Sequence, residues 1–134
     1  MSSPNETVEA FLAMWNRPGG FADAVRRYFT SDTHYENVGM SDTRGIDEAL
    51  SFIQAFESSC GCHVSIRVTT LASASNGNTV LNERIDEVLN DKGEVISTIR
   101  LMGIFDVADD KITAWRDYFD TAGLAASRAE QQTS

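Results

Sequence analysis

A chain of 134 residues suits one domain with its own hydrophobic core and leaves little room for a second. Its formal net charge of −9 argues against binding a phosphate backbone, which needs clustered Lys and Arg, and against docking on acidic membranes. The opening residues, Met1 to Glu6, lack the basic and apolar stretches of a signal peptide, and no apolar run is long enough to span a bilayer, so a cytoplasmic location is expected.

Ser3-Pro4-Asn5-Glu6 reads as a helix start, with a Ser cap, Pro at the first helical position and Glu at the capping-box position. Val8, Phe11, Leu12 and Trp15 then form one apolar stripe, and the helix should end near Asn16 because Arg17-Pro18-Gly19-Gly20 breaks it. A second helix, about Phe21 to Phe29, turns Phe21, Val25, Tyr28 and Phe29 inward and leaves Arg26 and Arg27 solvated. After a turn at Ser31-Asp32-Thr33, His34 to Val38 reads as a short strand in which Tyr35 and Asn37 share a face. Ser41 to Gly45 reads as loop. A third helix, about Ile46 to Ser58, places Ile46, Leu50, Ile53 and Phe56 in a stripe.

Cys60 and Cys62 flank Gly61, a spacing too tight for an ordinary disulfide, so reduced thiols at a helix-to-strand turn are expected. With His63 they suggest metal ligation, but zinc sites usually take four ligands and the other histidine is the distant His34, so no metal is expected.

From His63 onward the pattern changes to strands. Val64 to Val68 alternates, Ser75-Asn76-Gly77-Asn78 supplies a hairpin turn, and Thr79 to Leu89 is a long strand. Asn90 to Gly93 turns the chain into a strand from Val95 to Val107, and Asp109-Asp110-Lys111 turns it into the stretch Ala114 to Asp120. The polar tail from Ser127 to Ser134 is expected to fray. Helices followed by hairpin-linked strands indicate an α+β fold, with a curved, mostly antiparallel sheet wrapped around the N-terminal helices to form a cone with a deep pocket.

Strand alternation fixes which side chains meet. Val80, Asn82, Arg84, Asp86 and Val88 share one face of the long strand, and Trp115, Asp117 and Phe119 share one face of the last. Asp117 thus lies between two large aromatics, where a carboxylate needs polar company. Arg84 and Asp86 make a charge pair two residues apart. Val88, Ile99, Leu101 and Phe119 lie on the faces that carry the acids and are candidates to contact an apolar substrate.

Tyr35-x-Asn37, Arg84-x-Asp86 and the run Trp115-Arg116-Asp117-Tyr118-Phe119-Asp120, in this order and at these separations, resemble the limonene-1,2-epoxide hydrolase family over about Phe29 to Asp120. The resemblance implies a nuclear-transport-factor-2-like cone, a homodimer packed through the sheet, no cofactor, and a small apolar epoxide and water as substrates. It further implies that Asp117, Tyr35 and Asn37 hold the water, with Asp117 as general base, Asp86 as general acid and Arg84 between the two carboxylates. The chemistry suits these residue types: epoxide opening needs a nucleophile at carbon and a proton at oxygen, and one base and one acid supply both. Other enzymes of this cone fold are the alternative, a polyketide or polyether cyclase or an isomerase with an Asp-centred site. A non-catalytic dimeric binding module is the other.

Overall fold

The computed structural model describes residues 2–122. Helix α1 (Pro4–Ala13) begins on a reciprocal cap: Ser3 Oγ accepts from the Glu6 amide and the Glu6 carboxylate accepts from the Ser3 amide. Then come α2 (Gly20–Tyr28), β1 (Phe29–Asn37), β2 (Ser41–Arg44) and α3 (Gly45–Cys60), followed by β3 (Ser65–Asn76), β4 (Thr79–Leu89), β5 (Val95–Ala108) and β6 (Lys111–Tyr118). The strands form one sheet in the order β2-β1-β6-β5-β4-β3. The β1–β6 pair is parallel and every other neighbouring pair antiparallel.

Long strands interrupted by register shifts twist and bend, and here they curl the sheet around the helices as an α+β cone. Helix α1 packs on β3 to β6, and α3 packs on β1 and β2. The concave face is therefore the buried one, and β4 alternates cleanly: Val80, Asn82, Arg84, Asp86 and Val88 are all buried on it. No helix among the described residues is long and apolar enough to cross a membrane.

The core centres on Phe11, which is fully buried and meets the rings of Trp15, Tyr28, Phe29, Phe105 and Trp115 at centroid distances of 5.3 to 6.5 Å. Across the sheet, Phe105, Trp115 and Tyr35 are register neighbours on β5, β6 and β1 and stack nearly parallel. This aromatic row is the floor on which the polar residues of the concave face stand.

Four expectations change. Ser31-Asp32-Thr33 is not a turn between elements: β1 runs from Phe29, irregular at this point, and Thr33 Oγ1 secures it to β6 by donating to the Ile112 carbonyl at 2.6 Å. Ser41 to Arg44 is not loop but an edge strand, invisible to apolar alternation because its order comes from the backbone ladder with β1. Strand β3 continues to Asn76 through an exposed polar stretch for the same reason, here held by β4. Cys60 and Cys62 are joined as a disulfide, with Cα atoms 5.4 Å apart, rather than left as thiols. Gly61 adopts φ +67 at the end of α3, and this left-handed residue folds the chain back so that the two sulfurs meet. The expected frayed tail, Ser127 to Ser134, lies outside the described residues.

Truncating the central ring should test this packing. Phe11→Ala is expected to cost about 3–5 kcal/mol in urea unfolding, because the space it leaves is walled by other rigid rings. A loss below about 1 kcal/mol would show that the aromatic cluster does not carry the core.

Candidate active site

Neighbouring rows of the sheet carry the polar side chains. Asn82 on β4 lies beside Gly103 on β5, Gly103 beside Asp117 on β6, Asp117 beside Asn37 on β1, and Asn37 beside Ser41 on β2. Arg84 and Asp86 stand in the next two rows along β4, opposite Leu101 and Ile99. Residues separated by up to eighty positions in sequence thus meet on one face.

Arg84 is the hub. Its side chain is fully buried, and Asp86 and Asp117 are only 6% and 3% exposed. Nε donates to Asp86 Oδ1 at 3.2 Å, Nη2 to Asp86 Oδ2 at 3.1 Å and to Asp117 Oδ2 at 3.0 Å, and Nη1 to Asn82 Oδ1 at 2.9 Å. The planar fork satisfies two carboxylates and an amide in one geometry that a lysine ammonium could not reproduce. Trp15 and Phe105 lie 5.8 and 5.6 Å from the guanidinium carbon, adding cation–π contacts to a charge removed from water.

Gly103 makes this arrangement possible. A Cβ there would run into Arg84 Nη1 and come within 2.8 Å of Asp117 Oδ1 and 3.0 Å of Asn82 Oδ1. The guanidinium therefore occupies the space that any other side chain on β5 would fill.

Asp117 has a second donor, since Trp115 Nε1 lies 2.7 Å from its Oδ1. Burial pushes the Asp117 carboxyl up to about 6, with the Asp86 charge acting in the same direction and the Arg84 charge and the donated hydrogen bonds opposing it. For Arg84, burial is the strongest influence and favours losing the proton, but the two aspartates outweigh it and hold the guanidinium charged.

The other side of the pocket is set by Asn37. Its Nδ2 donates to Tyr35 Oη and to Ser41 Oγ, both at 3.0 Å, so both amide hydrogens are used and Oδ1 remains as an acceptor. Tyr35 Oη accepts from Asn37 and keeps its own hydrogen to donate. Burial, reinforced by the Asp117 charge, raises the Tyr35 pKa, so the phenol stays a neutral donor.

The structure brings Tyr35, Asn37, Arg84, Asp86 and Asp117 together at one pocket, with Val88, Ile99, Leu101 and Phe119 in its lining. The cavity is about 100 Å³, and its remaining wall is mostly aromatic and aliphatic, including Phe52 and Phe56 from α3. Both aspartates are committed to a guanidinium about 3 Å away, an arrangement for an ion pair and hydrogen bonding rather than for a cation, which Arg84 would repel. Sequence reasoning gave no role to Asn82, Gly103, Trp115 or Ser41. Asn82 and Trp115 could have been found from their i, i+2 relation to Arg84 and Asp117, whereas Gly103 and Ser41 needed the strand register.

The sequence matches the limonene-1,2-epoxide hydrolase catalytic domain over residues 2–129. The chain belongs to the limonene-1,2-epoxide hydrolase family. It is 35% identical over 114 residues to epoxide hydrolase EphG of Mycobacterium tuberculosis, a span of 84% of this chain and 70% of that relative. It is also similar to the solved structure of a limonene-epoxide-hydrolase-like enzyme of M. tuberculosis, with a TM-score of 0.72 and 31% identity over 89% of this chain and 84% of the other. A Jannaschia protein described as SnoaL-like polyketide cyclase superposes with a TM-score of 0.71 but 18% identity, over 91% and 88% of the two chains, and shares the fold alone. Family and relatives together support an epoxide hydrolase in general.

The gap at Gly103 gives a direct test of the hub. Gly103→Ala should destabilise the protein by about 1–3 kcal/mol, because the added methyl must displace the guanidinium or spread two strands. An unchanged thermal midpoint would mean that Arg84 does not need this space.

Proposed function

We propose that this member of the family opens a small apolar epoxide to a vicinal diol in one step, by general acid/base attack of water and without a covalent intermediate. The observation that carries the proposal is a single buried guanidinium bonded to two buried carboxylates on the floor of an apolar pocket. Two acids and one Arg⁺ are electrically balanced when the pair retains one proton, so the trio holds an acid and a base side by side at no net charge.

In the reactive state the proton is on Asp86 and Asp117 is ionised. Water accepts from Tyr35 Oη and donates to Asn37 Oδ1 and Asp117. As its oxygen bonds to an epoxide carbon, Asp117 takes the second water proton. The ring C–O bond breaks with its electron pair on oxygen, and Asp86 protonates that oxygen. The products are a diol and a trio whose proton has moved from Asp86 to Asp117, and its return to Asp86 resets the site. Arg84 stays charged throughout, orients both carboxylates and stabilises whichever is ionised. A value of about 6 for Asp117 suits a base working near neutral pH, strong enough to take a proton yet ionised before the reaction.

The outer face of the sheet exposes Met102 and Tyr118, which are register partners, and Leu81 one pair further along on β4, and these support the reading of a homodimer packed through this face. Cytoplasmic location is part of the same proposal.

Diol formation from limonene, cyclohexene and styrene oxides tests the reading. Wild type should turn over at least one, and Asp86→Asn and Asp117→Asn should each lose about a hundredfold or more. Activity should fall as pH drops through about 6, where Asp117 becomes protonated. Stability should move the other way: the folded value lies above the ordinary 3.8, so the contribution of Asp117 is fully present below 3.8 and is lost as pH rises through about 6. Asp117→Asn should therefore fold as stably as wild type at pH 7 or more so. Clear destabilisation, with diol formation intact, would reduce the trio to a structural salt bridge.

A further inference from the structure

Within the pocket lining, Ser97 places a hydroxyl on an apolar stretch of wall. It lies on β5 in register with Val88, one inward-facing pair beyond Asp86 and Ile99. The wall around it is apolar, with Val88 opposite, Ile99 next along the strand, and Phe56, Val64 and Ile66 in the same lining. At the other end of the pocket, Asp86 and Asp117 are engaged by Arg84, and the Asn37 amide hydrogens by Tyr35 and Ser41. The Ser97 side chain makes no hydrogen bond to any described residue. This half-buried hydroxyl, facing an apolar stretch of the cavity without a protein partner, is open to a polar atom of a bound molecule.

The local backbone directs it there. Val88 pairs with Ser97 but Leu89 pairs with Val95, so Ile96 is an extra residue in β5, and the strand bulges immediately beside the serine. Such bulges re-aim the side chains next to them, here at the point where the strand enters the pocket.

We infer that Ser97 forms a second polar subsite, and that the substrates of this pocket are epoxides carrying one hydrogen-bonding oxygen, such as a hydroxyl, carbonyl or ether, at the end of the molecule away from the ring. The inference rests on the pocket being the epoxide site proposed above. Two inward-facing positions along a strand are about 7 Å apart, so an epoxide oxygen at Asp86 leaves the second oxygen to reach Ser97 across a six-membered ring or a short chain. The Ser97 hydroxyl donates to it or accepts from it. The aromatic walls hold the carbon skeleton between the two oxygens, and a hydrocarbon epoxide would fill the pocket while leaving Ser97 unpaired.

The test uses two epoxides of matched shape: cyclohexene oxide with a hydroxymethyl group across the ring from the epoxide, and the ethyl analogue. Each is assayed with wild type, Ser97→Ala and Ser97→Thr. In wild type the ratio of kcat/KM for the hydroxymethyl over the ethyl compound should exceed that in Ser97→Ala by about tenfold, the worth of one neutral hydrogen bond. Ser97→Thr, which keeps the hydroxyl, should retain the wild-type ratio. The same ratio in wild type and Ser97→Ala would overturn the subsite while leaving epoxide hydrolysis intact. If neither compound is opened, the hydrolase reading fails, and the subsite is then judged by affinity. Both tryptophans of the chain, Trp15 and Trp115, line the pocket, so quenching of their fluorescence reports binding of the same two compounds. A tenfold preference for the hydroxymethyl compound that disappears in Ser97→Ala would support the subsite, and equal dissociation constants would overturn it.

Discussion

Arg84 is a fully buried cation, and almost every unusual feature of the concave face can be traced to the need to keep it there. Removing a guanidinium from water is tolerated only when its donors are matched and its charge is balanced. Asp86, Asp117 and Asn82 match the donors, Trp15 and Phe105 lie near its carbon, and Gly103 supplies the room. Burial in this dry place holds the carboxyl of Asp117 well above its ordinary range, with the Asp86 charge adding to it and the Arg84 charge opposing it. The burial that makes the trio expensive is thus what tunes Asp117 as a base.

The fold makes this hub rigid by spreading its parts over parallel rows of one curved sheet. Row spacing in a sheet is fixed by backbone hydrogen bonds, so the separation between Asp117 and Asn37 is set by the β6–β1 ladder rather than by loop conformation. The β1–β6 parallel pair is what brings the N-terminal Tyr35-x-Asn37 beside the C-terminal Trp115-x-Asp117. The aromatic row Phe105, Trp115 and Tyr35 then fixes the ring planes, so that the indole N–H and the phenol reach out of the apolar floor into the polar row. A cyclase-like neighbour shares the cone at 18% identity, and so the fold alone does not choose the chemistry.

Much of this was legible in the sequence because it depends on period. Strand alternation put Asn82, Arg84, Asp86 and Val88 on one face and Trp115, Asp117 and Phe119 on one face, and the capping box marked the start of α1. What period cannot show is which rows lie side by side. The role of Gly103 appears only when Arg84 from one strand and Asp117 from another are placed around it. Ser41 looked like loop because an edge strand held by backbone pairing carries no apolar pattern, yet it secures the amide of Asn37. The Cys60–Cys62 bond escaped for a related reason: spacing alone argues against it, and only the left-handed Gly61 at the end of α3 brings the sulfurs together.

The central claim is that water, not a carboxylate, attacks the epoxide while Asp117 takes its proton. A single-turnover reaction in oxygen-labelled water, with enzyme in excess over epoxide and mass analysis of both diol and protein, tests it most directly. The account predicts one labelled oxygen in the diol of the first turnover and no label in the protein. An unlabelled diol, with the label in the Asp117 carboxylate, would contradict it, because that pattern requires an ester between Asp117 and the opened epoxide.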